Sequence, residues 1–477
     1  MLRAMKWSAL SELAARAIQP LVFLAVARFV SPEDFGVVAA ALMVLHFSQI
    51  LWEAGMSKTL VQRRRDIDEA ASTMLWINLT LGILIAGAIA LLAGPIATTL
   101  FHDPRVAPVL RVLSLQVVLG ALSSVHIALL QKNLAFRQLF WVRTATVGLP
   151  GLASIPLAWK GMGYWALVAG ALVGQLAQVV VLWSVSSWRP TWAFRRATAR
   201  DMVRFGAWVQ IAGLLSWFYA WGDSLVVGML LGSHELGLYR TGGQFALAGF
   251  AMLLGPISPV LYSFLCRMNG EQAALRRAAK RILETLTLVT IPMGVIMFSL
   301  ASPLSAAIFG ARWQGVDLVI RAMAIMHGFT WVVGMNGDVY RASGKPAYES
   351  VVTAATLPIY LVTYLITARH GLDTFVWARL ALGLMALFAH LAVLHHLVRT
   401  PFLPVLARMA WVALAVGIPS HFVVMGLSGR FANVWAQLLV MGTAVTLVTG
   451  GVVYTVGGKQ KLREFLAMRR ERGGEPA

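Results

Sequence analysis

A single cysteine, Cys266, in 477 residues rules out an intrachain disulfide and leaves no thiolate cluster for a metal. Histidine does not make up the deficit. His395 and His396 adjoin each other at the end of an apolar block without partner ligands at a useful spacing, and read as interfacial residues. Charge is scarce, 13% of the chain, and acids are scarcer than bases, with 20 Asp+Glu against 40 Lys+Arg and a net charge of +20. In a soluble chain that imbalance would point to nucleic acid. Here no basic segment is large enough to fold by itself, and the basic residues fall mainly between apolar blocks. They suit membrane topology and anionic lipid headgroups, and nucleic acid is not an expected partner. Also missing are a Gly-rich phosphate loop, a His/Asp/Glu constellation and any loop long enough to hold a catalytic domain. No enzyme, cofactor or metal is expected.

What the chain has is apolar residues, 58% of the total, in runs of about 20 that are long enough to cross a bilayer core of about 30 Å. Gly, Pro and charge punctuate fourteen expected spans: 8–30, 34–55, 72–100, 106–130, 138–159, 163–186, 204–231, 236–264, 282–309, 316–338, 348–368, 373–397, 403–427 and 431–456. The first is no signal peptide, because Glu12 and Arg16 interrupt any short apolar core and the block runs on to about Val30. Most of the Lys and Arg fall in alternate loops, such as Arg63-Arg64-Arg65, Arg195-Arg196 and Arg276-Arg277, and in the tail from Lys459 to Arg472. The positive-inside rule then puts both termini in the cytoplasm, which requires an even number of spans. The tail has Leu462, Phe465, Leu466 and Met468 on one helical face and is expected to lie on the membrane surface.

An internal repeat is visible. Ser31-Pro-Glu-Asp-Phe-Gly36 lines up with Gly232-Ser-His-Glu-Leu-Gly237, and Gly94-Pro-Ile-Ala-Thr-Thr-Leu-Phe101 with Ser302-Pro-Leu-Ser-Ala-Ala-Ile-Phe309. A similar offset sets Arg111 opposite Arg321. Six spans separate the copies, so the halves share an orientation and form a parallel repeat of the kind used for alternating access. The expected organisation is an N-terminal six-helix bundle over 1–200, a second over 201–400, two accessory helices over 401–457 and a basic cytoplasmic tail over 458–477.

Several strings resemble the polysaccharide-transporter branch of the multidrug/oligosaccharidyl-lipid/polysaccharide flippase superfamily. They are Arg28-Phe-Val-Ser-Pro-Glu-Asp-Phe-Gly36, Asp223-Ser-Leu-Val-Val-Gly-Met-Leu-Leu-Gly232 with Gly237-Leu-Tyr239, Phe309-Gly-Ala-Arg-Trp313 and Ala342-Ser-Gly-Lys-Pro346. The resemblance implies two six-helix bundles in a V, with alternating access. It also implies a Wzx-type substrate, a polyprenyl diphosphate-linked oligosaccharide moved from the cytoplasmic to the periplasmic leaflet for exopolysaccharide, capsule or O-antigen. A polysaccharide polymerase and glycosyltransferases would be neighbours in such a pathway, and the protein would be a monomer in the inner membrane. The alternatives are a drug or cation antiporter of the same superfamily and a membrane-embedded polymerase or ligase.

Such a substrate needs a cation for its diphosphate and polar or aromatic groups for its sugars. A charge within a span costs ~2.5–3.5 kcal/mol and is a functional candidate by default. Arg16 either binds diphosphate or pairs with Glu12 four residues before it. Asp223 either couples transport to protons or sodium, or locks the halves together through an arginine such as Arg16 or Arg240. Arg240 is a cavity-lining candidate against a snorkelling one, and Arg111 and Arg321 are rim candidates against the same alternative. Trp217, Tyr219 and Trp221 are candidates for stacking on sugar rings. Trp7, Trp188, Trp192, Trp313 and Trp411 are assigned to the interfacial belts.

Overall fold

The structure, a computed structural model, describes residues 18–53, 55–255, 258–268 and 271–458. Arg16, Glu12 and the basic tail lie outside them. Among the described residues the regular structure is all helical, and nine helices are long and apolar enough to cross a membrane. The chain divides into two compact units, Met1–Thr241 with Tyr364–Leu372, and Gly242–Thr363 with Asp373–Ala477.

The first unit opens with α1 (Ile18–Ala27) and α2 (Pro32–Glu53). Ser31 caps α2 by accepting from the Asp34 amide at 3.2 Å, and Pro32 takes the first helical position, where a missing N–H costs nothing. A short α3 (Met56–Gln62) follows, and then α4 (Ile67–Pro95), which passes into a π-helical turn at Ile96–Leu100. That turn is held from the side chains: Thr98 Oγ1 donates to Gly94 O at 3.0 Å and Thr99 Oγ1 to Pro95 O at 2.6 Å. Threonine hydroxyls are one means by which proline-disturbed membrane helices keep their carbonyls satisfied.

The expected span 106–130 is found as one apolar span, Val106–Lys132, in which α5 (Val106–Leu113) passes into α6 (Leu115–Lys132) through Ser114. Beyond them α7 (Phe136–Trp159) and α8 (Tyr164–Val185) pack closely, because α8 turns Gly170 and Gly174 toward α7. A β-carbon on Gly170 would stand 2.9 Å from Ser154 Cβ, and one on Gly174 2.8 Å from Pro150 Cγ. Small residues four apart let membrane helices approach where no hydrophobic force drives them together. The long α9 (Arg196–Leu230) then turns at Gly232, with φ of 88°, into α10 (Ser233–Leu254).

In the second unit the expected span 236–264 is broken, since α10 ends at Leu254 and a separate α11 (Ser258–Cys266) follows. The long α12 (Gln272–Ile308) comes next. The expected span 316–338 is also broken, into α13 (Val316–Thr330) and α14 (Asn336–Ala342). Between them Val332, Val333 and Gly334 donate to the carbonyls three residues back, a tightened turn that ends one helix before the next begins. The remaining helices are α15 (Ala347–Ala368), α16 (Leu372–Val398), α17 (Phe402–Leu427) and α18 (Val434–Val453). Thr290 of α12 donates to Gly328 O of α13 at 2.7 Å, and Glu284 of α12 faces Arg408 of α17 at 3.8 Å. Trp313, expected in the interfacial belt, is instead buried against Phe309, with ring centres 5.4 Å apart. Trp192 and Trp411 are exposed, as a belt requires.

Candidate functional site

The α9–α10 hairpin sets its polar residues at one level. Asp223 lies seven residues before the end of α9 and Arg240 seven after the start of α10, so at 1.5 Å per residue each is about 10 Å from the turn. Tyr239 donates its hydroxyl to Asp223 Oδ2 at 2.7 Å across the hairpin. Ser224 gives Asp223 Oδ1 both its backbone N–H, at 2.6 Å, and its hydroxyl, at 3.1 Å. Arg240 donates to Ser224 Oγ at 3.4 Å. Ser224 thus stands between the carboxylate and the guanidinium.

The guanidinium also has an aromatic floor. Its carbon lies 4.0 Å from the centre of the Trp221 ring, which stacks at 5.0 Å on His46 of α2. A cation over tryptophan gains ~2 kcal/mol or more when desolvated, comparable to what placing the arginine in a span costs. Among the described residues the cation is held by the Trp221 ring and Ser224, and Asp223 is linked to it through Ser224. Of the sequence candidates, Asp223, Arg240 and Trp221 are therefore brought together. Trp217 is buried edge-on against Phe47, at 5.1 Å, and Tyr219 is 40% exposed. Arg111 is exposed on α5. Arg321, in the second unit, is engaged locally by Asp317 at 3.5 Å and by Ser302. His46 was not anticipated. A lone histidine in an apolar helix carries no sequence signal, and only its stacking on Trp221 reveals it.

At the hairpin's turn a second cluster joins three loops. A β-carbon on Gly36 would fall 1.7 Å from Ser233 O, and one on Gly237 would fall 1.8 Å from Pro32 O. In the repeat, Gly36 corresponds to Gly237 and Pro32 to Ser233, so the contact is reciprocal. Beside it, Ser233 donates to Asp103 Oδ2 at 2.7 Å, and Arg105 pairs with Asp103 at 2.9 Å and with Glu33 at 3.2 Å. Burial pushes the Asp103 carboxyl upward, but the hydrogen bonds from Arg105 and Ser233 outweigh it and hold the group below its ordinary value.

Residues 25–317 match the model of a family described as polysaccharide biosynthesis protein. The chain is 25% identical to the succinoglycan biosynthesis transport protein ExoT of Rhizobium meliloti (strain 1021), over 98% of this chain and 96% of that one. It is 23% identical to the lipopolysaccharide biosynthesis protein WzxC of Escherichia coli (strain K12), over 67% and 65%. Among solved structures, the lipid II flippase MurJ in an inward closed conformation superposes with a TM-score of 0.75 at 13% identity, covering 94% of this chain and 98% of that one. An inward-facing multidrug resistance MATE transporter of the MOP superfamily superposes with a TM-score of 0.59 at 16% identity, covering 84% and 98%. These two likenesses are of fold.

Proposed function

The chain belongs to the polysaccharide biosynthesis protein family, and from that premise we propose that it is a flippase for a lipid-linked oligosaccharide. It moves a polyprenyl diphosphate carrying an oligosaccharide from the cytoplasmic to the periplasmic leaflet of a bacterial inner membrane, with both termini in the cytoplasm. The observation that carries this reading is the guanidinium held over an aromatic ring in the α9–α10 hairpin. Arg240 lies on Trp221 with its nearest carboxylate, Asp223, already engaged by Tyr239 and Ser224. A planar guanidinium is the donor suited to a diphosphate. Asp223 balances its charge and fixes the hairpin, and a transported anion would compete with Ser224 for the Arg240 donors. Arg16 is a second candidate for the same anion. Two like halves give the alternating openings that such transport needs, and no bond is made or broken.

The test is a deletion strain analysed by mass spectrometry for polyprenyl diphosphate-linked sugars, combined with digestion from the periplasmic side. A complete lipid-linked saccharide accumulating in the protected leaflet is the expected result. Normal surface polysaccharide with no accumulation would discard the reading and favour small-molecule efflux.

A further inference from the structure

Three helices of the first unit turn amide side chains toward one another. On α2, His46, Gln49 and Glu53 follow at three and four residues, one face of a helix. On α6 the stripe runs Gln116, Gly120, Ser123 or Ser124, Ile127 and Gln131, and on α8 it is Gln175 and Gln178. They line an open cavity of about 290 Å³. Gly120 matters to its shape, because a β-carbon there would stand 3.1 Å from the Trp52 ring that forms one wall.

The lining has five glutamines, a carboxylate, an imidazole and serine hydroxyls, with Leu42, Leu45, Trp52, Val117 and Ile127 between them, but neither lysine nor arginine. Several of these groups hold one another in place. Gln49 Nε2 and Ser57 Oγ both donate to Glu53 at 3.2 Å, and Gln175 Nε2 donates to Gln178 Oε1 at 2.9 Å. Each primary amide offers two donors and an acceptor, which matches hydroxyls that both give and take hydrogen bonds. An anion would meet Glu53 with no cation to offset it, and an isoprenoid chain would strand the amides without partners. The volume sits at the small end of ligand pockets, enough for about one or two sugar rings.

We propose that this cavity is a subsite for neutral pyranose residues of the transported saccharide, separate from the Arg240 cation that takes the diphosphate. The source of the sugar rests on the flippase reading, but the recognition chemistry does not. His46 joins the two places, since it lines the cavity and stacks on the Trp221 ring that underlies Arg240. A saccharide held by the amides would therefore keep its linkage on the Trp221 side of α2.

The test uses the full chain in lipid nanodiscs free of sugar-based detergent, with saturation-transfer NMR. The probes are the methyl pyranosides of glucose, galactose, mannose and rhamnose. Saturable transfer to at least one is expected, unaffected by inorganic pyrophosphate and reduced at least tenfold in Gln175→Leu/Gln178→Leu. Gln49→Ala, at an exposed position on a different helix, is to give the same loss should the double variant not fold. Transfer to none of the four, or transfer unchanged in these variants, overturns the subsite. Sugar binding without lipid-linked saccharide in the deletion strain would remove the flippase reading and leave the subsite. Accumulation without sugar binding would do the reverse.

Discussion

Tyr239 donates its hydroxyl to Asp223 across the turn that joins α9 to α10, at 2.7 Å. A hydrogen bond to a charged acceptor contributes ~1.5–3 kcal/mol, so this one fixes how the two helices face each other at the level of Arg240. Tyr239→Phe is expected to lower the unfolding temperature of the purified protein and to reduce export of the lipid-linked saccharide together. Asp223→Asn keeps the shape and should retain most of the stability while transport falls. An altered dependence of transport on pH or sodium in that variant would assign Asp223 a coupling role.

Arg240→Lys preserves charge but removes the flat guanidinium from the Trp221 ring. The loss of about 1 kcal/mol of stacking corresponds to roughly a fivefold weaker hold on an anion. Arg240→Ala should lose more than tenfold. Competition by inorganic pyrophosphate against transport in proteoliposomes separates these outcomes from simple misfolding.

Glycine is required at position 36 because the opposing atom is a backbone oxygen, which cannot swing aside. Gly36→Ala and Gly237→Ala are each expected to destabilise by about 3 kcal/mol, the upper end of what overpacking costs. Gly87→Ala, in α4 with nothing within 4 Å of the added carbon, should be neutral or slightly stabilising. Thermal unfolding of the three purified variants makes the comparison.

The junction at Asp103 carries a pH dependence of known sign. The carboxyl is held below its ordinary value of 3.8 in the folded protein. Its contribution is therefore complete above the unfolded value, and is lost as pH falls through the lower folded one. The unfolding temperatures of the parent and of Asp103→Asn should differ at neutral pH, and the gap should close only below about pH 4. A gap that closes between pH 6 and 7 would contradict the assignment.

Helix content was legible from apolar blocks and punctuation, although the second span was expected from 34 and α2 begins at Pro32. The break at 331–335 was not, since it contains no proline and the apolar run continues through it. Trp313 misled because nearness to a helix end says nothing about whether a neighbour such as Phe309 covers the ring. Of the candidate residues, charge within a span pointed to Asp223 and Arg240 and offered them as partners, but that their link runs through Ser224 depends on how the hairpin folds back. The five glutamines were invisible for a different reason. They lie on three helices as far apart as residues 49 and 178, and a neutral amide in a span raises no alarm in a search for charge.

The paired close contacts of Gly36 with Ser233 and Gly237 with Pro32 have the form that two identical chains produce when they meet about a two-fold axis, with i touching j′ and j touching i′. A surface of that kind complements itself before any duplication of the sequence. Each glycine is therefore half of one contact: the backbone that crowds Gly36 belongs to the segment carrying Gly237, and the backbone that crowds Gly237 to the segment carrying Gly36, so a side chain added on either copy strains both.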